Sequence, residues 1–382
     1  MIEFKTQPAT FIINLSGQLE SIIANQSKVE YKAAGQPSPL LQIKVGDYFF
    51  SPEQAFYEAN TKRIRLIYNS NRNSVIIHAT VNLKYLVFEI VEMTPENDIE
   101  MVHWGPYATT IGDIIGEVVG VVRNPEFAIG VQGLNPKTLG GSPQNEDDEI
   151  TNGVFLDDPG QYADLQRELQ KDSQYRGDTA WPMEFGSILQ LFCRNRNKER
   201  IIKNWGQEKY ISPPLQEGGI IGSKIAIFGC PTSELMHTLE TIELEEKLPH
   251  PTIGGQWAKT SLLANASYLI VDFGEKNIEQ AIELTKLAGL KGLYHSSPFL
   301  TWGHFELRPD LFPNGKDGFK ECVEKAKREG ITVGFHTLSN FTTPNDPYVS
   351  PIPDARLGKV GFSMLTEDID AALEEIPIDN PD

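Results

Sequence analysis

Short segments in which apolar and polar residues alternate fill positions 10–135 and constrain the fold more than any other feature of the sequence. The alternation is clearest at positions 74–81, and turn-forming residues at 35–39 and 69–73 separate neighbouring segments. Strands with one buried face show this period of two, and many short strands joined by turns are typical of an antiparallel β-sandwich. We predict strands at 10–15, 40–45, 63–68, 74–81, 85–91 and 127–132.

The strand pattern continues beyond a polar interruption. Residues 141–183 are acidic and have too few apolar side chains for a core of their own, so we predict an excursion from the sandwich. Strands are predicted again at 187–194 and 223–230, followed by a helix at 233–246. The N-terminal domain is therefore predicted to span residues 1–258.

After residue 259 the pattern changes to alternating strands and helices. The apolar run at 268–272 predicts a parallel strand buried on both faces. Helical faces at 277–289 and around 319–326 are each stopped by a glycine, and strands follow at 292–295 and 331–335. This β-α-β-α-β order over residues 259–360 predicts either a small open parallel sheet or the first three units of a β/α barrel, because a complete barrel takes about 250 residues. Residues 361–382 are predicted to be a tail or the start of a missing insertion.

Charge and composition exclude several classes of function. The chain has 34 basic and 52 acidic residues, a net charge of -18, which disfavours a nucleic-acid partner. No apolar run is long enough to span a bilayer, and the first residues show no signal-peptide pattern. Cys193, Cys230 and Cys322 have no metal-ligand spacing and are predicted to be buried, unpaired residues. We assign no metal ligand and no cofactor. Calcium dependence stays open, because the acidic positions 145–158 could attract the ion but lack the spacing of a calcium loop.

Polar side chains follow each strand of the β/α region. Asp272 ends the first strand, His295 the second, and His336 and Asn340 follow the third. The carboxyl ends of parallel strands meet at one edge of a sheet, so we expect these side chains to share a cleft. Each also has a structural explanation, such as a helix cap for Asp272 or a hydrogen bond across the rim for His336.

The loop after the second strand adds Trp302 and His304. These two side chains could simply pin down the long loop. An accessible tryptophan beside polar groups also suits a sugar ring, whose apolar face stacks on the indole while its hydroxyls form hydrogen bonds. The sequence therefore predicts an oligo- or polysaccharide site formed by Asp272, His295, Trp302, His304, His336 and Asn340.

Several stretches together resemble a group of bacterial, largely Bacteroidetes-type, glycoside hydrolases. They are VHWGPYATTIGDIIGEVVGVVRN, GVQGLNPKTLGG, GSKIAIFGCP, YHSSPFLTWGHFEL and HTLSNFTTPNDPYVSPIPD, and the resemblance covers about residues 10–370. Members of this group have an N-terminal β-supersandwich followed by a β/α barrel, and they are related to α-galactosidase-like retaining enzymes. The resemblance implies the same layout for this chain, and a periplasmic or extracellular location.

The resemblance also implies a mechanism with two carboxylates, one acting as nucleophile and the other as general acid and base. In related barrels these groups follow later strands, so we expect them beyond residue 382 and assign no catalytic residue. Asp346 and Asp354 lie in a proline-rich loop, and we do not assign the nucleophile to either. Two alternatives remain, a non-catalytic carbohydrate-binding or scaffolding protein, and a sugar isomerase or epimerase using Asp272 and His336. The sequence does not determine the sugar, the linkage or the oligomeric state.

Overall fold

A computed structural model describes most of the chain and divides it into two compact units. The described residues are 1–46, 48–116, 120–141, 179–204, 207–338, 342–359, 361, 363–370 and 375–379. The larger unit comprises Met1–Pro249 with Gly358–Asp382, and the smaller unit comprises His250–Leu357.

The larger unit consists mainly of antiparallel sheets. A three-stranded sheet contains β1 (Ile2–Lys5), β2 (Ala9–Ile13) and β3 (Leu19–Ala24). A second sheet has the order β14-β16-β10-β4-β5, with β15 also paired to β16; its strands are β4 (Leu41–Val45), β5 (Tyr48–Phe50), β10 (Met101–Thr109), β14 (Leu139–Gly140), β15 (Ala180–Met183) and β16 (Gly186–Arg194).

The third and largest sheet of this unit has the order β11-β12-β13-β19-β9-β8-β7-β6. Its strands are β6 (Gln54–Glu58), β7 (Arg63–Tyr68), β8 (Asn73–Val81), β9 (Tyr85–Thr94), β11 (Ile114–Ile115), β12 (Val121–Arg123), β13 (Phe127–Gly133) and β19 (Lys224–Pro231). A hairpin of β17 (Arg200–Asn204) and β18 (Gln207–Ser212) and helix α1 (Leu235–Glu245) complete the unit, with one-turn helices at Glu96–Asp98 and Thr232–Glu234.

Alternation along the strands creates the core of the larger unit. On β8, Val75, Ile77 and Ala79 are buried while the side chains between them are half-exposed. They join one apolar cluster with residues of all three sheets, which is how sheets with a single apolar face become stable. The buried indole of Trp104 is hydrogen-bonded, because its Nε1 donates to Ser223 Oγ at 2.9 Å.

The predicted antiparallel sheets are confirmed, with one correction in the excursion. Residues 142–178 lie outside the described residues. The end of the predicted excursion, however, is not a loop, because Ala180–Met183 pairs with Gly186–Arg194 as a hairpin. Pro182 and the acidic residues before it obscure this strand in the sequence. The three cysteines are buried and unpaired, as predicted.

The smaller unit contains the predicted β-α-β-α-β order. Its parallel sheet is β22 (Tyr268–Ile270), β23 (Gly292–Tyr294) and β24 (Thr332–Gly334), joined by α2 (Ile278–Leu287) and α3 (Gly315–Arg328). A hairpin of β20 (Thr252–Ile253) and β21 (Gln256–Trp257) and a one-turn helix at Leu262–Asn265 precede the sheet. None of the described helices has the length and apolar character needed to cross a membrane.

One face of this parallel sheet is covered and the other is open. Ile278 of α2 and Cys322 of α3 pack with Leu293 in a single apolar cluster. On β22, Tyr268 is 55% exposed and Ile270 is 62% exposed. The prediction that the run at 268–272 is buried on both faces is therefore wrong, because both crossover helices pack on the same side.

Candidate functional site

The carboxyl ends of the three parallel strands meet at one edge of the sheet. The backbone N–H of Val271 donates to Tyr294 O at 3.0 Å, and that of His295 donates to Gly334 O at 2.9 Å. These bonds continue the register in which Ile270, Tyr294 and Gly334 lie side by side. The residues that follow each strand therefore emerge next to one another, about 5 Å apart from strand to strand.

Asp272 is an accessible carboxylate at this edge. Its side chain is 50% exposed, and Ser296 Oγ donates to its Oδ1 at 2.6 Å. This hydrogen bond is the main reason that the pKa of Asp272 is lowered; burial opposes the shift and the charge of His295 adds to it. Asp272 is thus ionised at neutral pH and can accept hydrogen bonds from a ligand.

His295 is buried close to Asp272, with 3.3 Å between His295 Nδ1 and Asp272 Oδ1. Its side chain is fully buried and packs edge-on against the Phe273 ring, with 4.9 Å between ring centroids. His295 Nε2 donates to Phe273 O at 2.9 Å, and His295 Nδ1 accepts from the Ser297 N–H at 3.2 Å. Burial lowers the pKa of His295, with Asp272 opposing the shift, so the ring is neutral. The predicted role of His295 as a direct ligand contact requires access that its burial does not provide.

The loop after β23 is held by the segment after β24. The backbone N–H of Trp302 donates to Thr343 Oγ1 at 3.1 Å, and the N–H of Thr343 donates back to Trp302 O at 3.0 Å. Thr342 Oγ1 also donates to Trp302 O, at 3.0 Å. These bonds fix Trp302 and its neighbours near the third strand end.

The same segment provides a buried carboxylate for His304. Asp346 is fully buried, and His304 donates to it twice, from the backbone N–H to Oδ2 at 2.7 Å and from Nδ1 to Oδ1 at 2.8 Å. The Tyr348 N–H also donates to Oδ1, at 2.9 Å. Burial alone would raise the pKa of Asp346, but the hydrogen bonds from His304 and Tyr348 hold it well below its usual range.

The carboxylate fixes which nitrogen of His304 is available. Because Nδ1 must carry the proton that it donates to Asp346, Nε2 of the neutral ring is a bare acceptor. The side chain is 43% exposed, and Nε2 makes no hydrogen bond to any described residue. A hydroxyl group of a ligand could donate to this nitrogen.

Aromatic rings of the second and third strand ends and of Trp302 form a wall. The rings of Trp302 and His336 are 5.5 Å apart between centroids, and His336 stacks on Tyr294 at 5.8 Å. The Tyr294 hydroxyl is hydrogen-bonded to His336 Nδ1. Trp302 is half-buried and His336 is exposed, so the wall remains partly accessible.

The structure thus arranges the predicted site residues in two groups. Asp272 and His295 form one group; in the other, the Trp302 and His336 rings are in contact, and His304, two residues after Trp302 in the chain, is bound to Asp346. Asn340 lies outside the described residues. Within the described part of the chain, no cluster of three or more His, Cys, Asp or Glu side chains is placed to hold a metal ion.

Sequence reasoning missed three residues of the site: Ser296, Tyr294 and Asp346. Ser296 directly follows a strand end, a position that indicates a rim residue. Asp346 is 42 residues from His304 and lies in a proline-rich loop, so no local pattern joins the two. Asp346 is also not an available nucleophile, because both of its oxygens accept hydrogen bonds.

Comparisons with known proteins give only a structural likeness. No protein-family model matches the sequence, and no curated protein matches it. The chain is similar in structure, over most of its length, to GH36 α-galactosidases, with low TM-scores and low sequence identity.

Three solved structures illustrate this likeness. GH36 α-galactosidase AgaA from Geobacillus stearothermophilus has a TM-score of 0.36 and 11% identity, covering 94% of this chain and 60% of that one. The α-galactosidase of Thermus thermophilus, in complex with p-nitrophenyl α-D-galactopyranoside, has a TM-score of 0.26 and 13% identity, covering 80% and 50%. The α-galactosidase of Lactobacillus brevis has a TM-score of 0.31 and 8% identity, covering 87% and 54%. The chain therefore spans between half and three fifths of the length of these proteins.

Proposed function

We propose that this chain binds a saccharide at the carboxyl edge of its parallel sheet, as the N-terminal portion of a retaining glycoside hydrolase. The observation that carries the proposal is the ring contact of His336 with Trp302, which is two residues along the chain from His304, whose Nδ1 donates to buried Asp346. An aromatic face for the apolar side of a sugar ring and a fixed acceptor for its hydroxyl are the two elements such a site needs.

The charged group at the first strand end fits the same ligand. Asp272 is ionised and half-exposed, and it follows a strand adjacent to the one that leads to His295 and to the loop with Trp302 and His304. Its carboxylate would accept hydrogen bonds from sugar hydroxyls, and Ser296 would hold it in place. Asn340, after the third strand, remains a proposed contact.

The proposal assigns the larger part of the chain, residues 1–258, to a β-supersandwich. Residues 259–360 are then the first three units of a β/α barrel, and residues 361–382 are a tail or the start of an insertion. The two catalytic carboxylates are not assigned to any described residue. Two features support this. Asp346 is buried and its oxygens already accept hydrogen bonds, and Asp272 alone cannot supply both the nucleophile and the acid.

A non-catalytic saccharide-binding protein is the second candidate. The hydrogen bonds to Asp346 favour this candidate, because they leave Asp272 as the accessible one of these two carboxylates. Incubation of the chain with aryl glycosides tests whether the chain is catalytic by itself. Turnover that is lost in Asp272→Asn supports a catalytic chain, and saccharide binding without turnover supports a binding protein or a binding portion.

Glycan-array screening followed by calorimetric titration tests the proposal. We expect a saccharide to bind, and we expect Trp302→Ala to weaken binding by about tenfold, or about 1.4 kcal/mol, because it removes the stacking surface. The matched control is Tyr48→Ala, which removes a 72% exposed aromatic side chain of the larger unit. If no glycan binds, or if both variants bind like the parent, the proposal fails.

A further inference from the structure

A row of aromatic rings extends from the carboxyl edge of the parallel sheet along its open face. The ring centroids of Tyr268 and Tyr294 are 5.6 Å apart, and those of Tyr294 and His336 are 5.8 Å apart. The centroid of His336 is in turn 5.5 Å from that of Trp302. Tyr268 begins β22, so these four rings, here called the aromatic ladder, run diagonally from the start of β22 to the carboxyl edge.

Alternation along the strands places the ladder on the face that the helices leave open. Leu293 of β23 belongs to the apolar cluster formed with α2 and α3, so the next residue, Tyr294, lies on the opposite face. Gly292 lies on the same face as Tyr294, two residues before it, and is paired with Tyr268 of β22. The Tyr268 and Tyr294 rings therefore share the open face, and His336 continues the row by its contact with Tyr294.

Two glycines give the tyrosine rings room on this face. A Cβ built on Gly292 would lie 2.8 Å from Tyr268 Cβ, and one built on Gly334 would lie 3.8 Å from Tyr294 Cδ2. Each tyrosine is thus next to a position on the neighbouring strand that has no side chain. Its ring can lean over that strand toward the next ring of the ladder.

The ladder is accessible along its length. Tyr268 is 55% exposed, His336 is exposed, and Tyr294 and Trp302 are half-buried. Ile270, which is 62% exposed and paired with Tyr294, adds apolar surface beside the rings. A continuous exposed patch of this kind marks a binding surface. Because one sugar ring stacks on one aromatic ring, a row of aromatic rings suits a row of linked sugars.

We propose that the aromatic ladder binds an extended oligosaccharide of three or more sugar units, in which Tyr268 and Tyr294 contact units beyond the one at Trp302. The proposal rests on the saccharide site of the proposed function and extends it along the open face. Residues on this face would fill the interior of a closed barrel. The ladder therefore belongs with the second candidate, a saccharide-binding protein whose sheet stays open.

Calorimetric titration with malto-, cello-, xylo- and manno-oligosaccharides of one to six units tests the proposal. In at least one series, we expect the affinity to rise by about tenfold or more from the disaccharide to the tetrasaccharide, because each further stacked unit adds contact area. A site limited to the carboxyl edge would reach its full affinity with the mono- or disaccharide.

Variants of Tyr268 test the far end of the ladder. Tyr268→Ala should weaken binding of the tetrasaccharide by about fivefold and leave binding of the disaccharide unchanged. Tyr268→Phe keeps the ring and should bind like the parent. Tyr48→Ala is the matched control, because it removes an exposed tyrosine of the larger unit, and it should change the affinity for neither length. Melting temperatures of all three variants verify that they are folded.

The results distinguish this proposal from the proposed function. Binding that Trp302→Ala weakens, but that depends neither on chain length nor on Tyr268, would overturn the ladder and leave the saccharide site at the edge intact. Equal losses in Tyr268→Phe and Tyr268→Ala would overturn it too, because the ring face would then not be the contact. Absence of binding in all four series would also overturn the ladder, whereas the glycan array decides the proposed function.

Discussion

Gly303 is the residue whose backbone allows His304 and Asp346 to meet. Its φ is +127°, and a Cβ built at this position would lie 2.5 Å from Asp346 Oδ1. Only glycine combines this conformation with so close an approach of a side chain. In the sequence Trp-Gly-His, the aromatic residue and the histidine therefore flank a glycine. The missing side chain of this glycine leaves room for the buried carboxylate.

Replacing Gly303 with alanine should destabilise the smaller unit by about 3 kcal/mol or more, from strain and from displacement of Asp346. Gly330→Ala is the control, since Gly330 has a φ of +72° but no atom within 4 Å of the added Cβ. The control should cost only about 1–2 kcal/mol. Urea unfolding of both variants measures the difference, and equal losses would mean that the contact with Asp346 is not tight.

His103 of the larger unit should make stability depend on pH. It is 5% exposed, and burial lowers its pKa to about 4, with a contact to Gln190 opposing the shift. The unfolded chain binds a proton near pH 6.5, which the folded state resists. The contribution of neutral His103 to the free energy of unfolding is therefore fully present above about pH 6.5. It decreases as the pH approaches 4, by about 3 kcal/mol in total.

His103→Gln should remove the part of this pH-dependent loss of stability that comes from His103. Urea unfolding between pH 7 and pH 4.5 measures the loss. A smaller loss of the same sign should persist because buried His295 also has a lowered pKa. His237→Gln, at an exposed position of α1, should keep the full dependence. An unchanged slope in His103→Gln would show that His103 is protonated in the folded state.

At the scale of elements, the sequence predicted the strands and helices whose positions local patterns determine. The strand at Arg63–Tyr68 and the helix at Ile278–Leu287 follow from periods of two and of 3.6 residues. Local patterns do not show which face of β22 is covered, because that depends on where the crossover helices pack. They also do not show that Asp346 reaches His304, since the two belong to loops that follow different strands.

The open face of the parallel sheet leads to a prediction about β22. Ile278→Ala on α2, where the side chain is fully buried, should cost about 2–4 kcal/mol. Ile270→Ala on β22, where the side chain is 62% exposed, should cost less than about 1 kcal/mol. Chemical unfolding of the two variants provides the test. Similar costs would mean that the face of β22 is covered in solution.

At the scale of the whole molecule, the order of elements was predicted more fully than the site. Antiparallel sheets precede a small parallel sheet, as the change of pattern near residue 259 indicates. Of the predicted site residues, Trp302 and His336 are in ring contact and His304 is held by Asp346, while His295 is buried. Burial of a polar side chain depends on the three-dimensional packing and could not be predicted from its position in the sequence.

The seven histidines make the saccharide site directly measurable. Side-chain NMR spectra of the histidines, recorded during titration with a saccharide identified by array screening, report on each ring separately. We expect the signals of His304 and His336 to shift together and to saturate with one dissociation constant, while those of His78 and His237 remain unchanged. Saturable binding that leaves His304 and His336 unperturbed would contradict a saccharide site at this edge of the sheet.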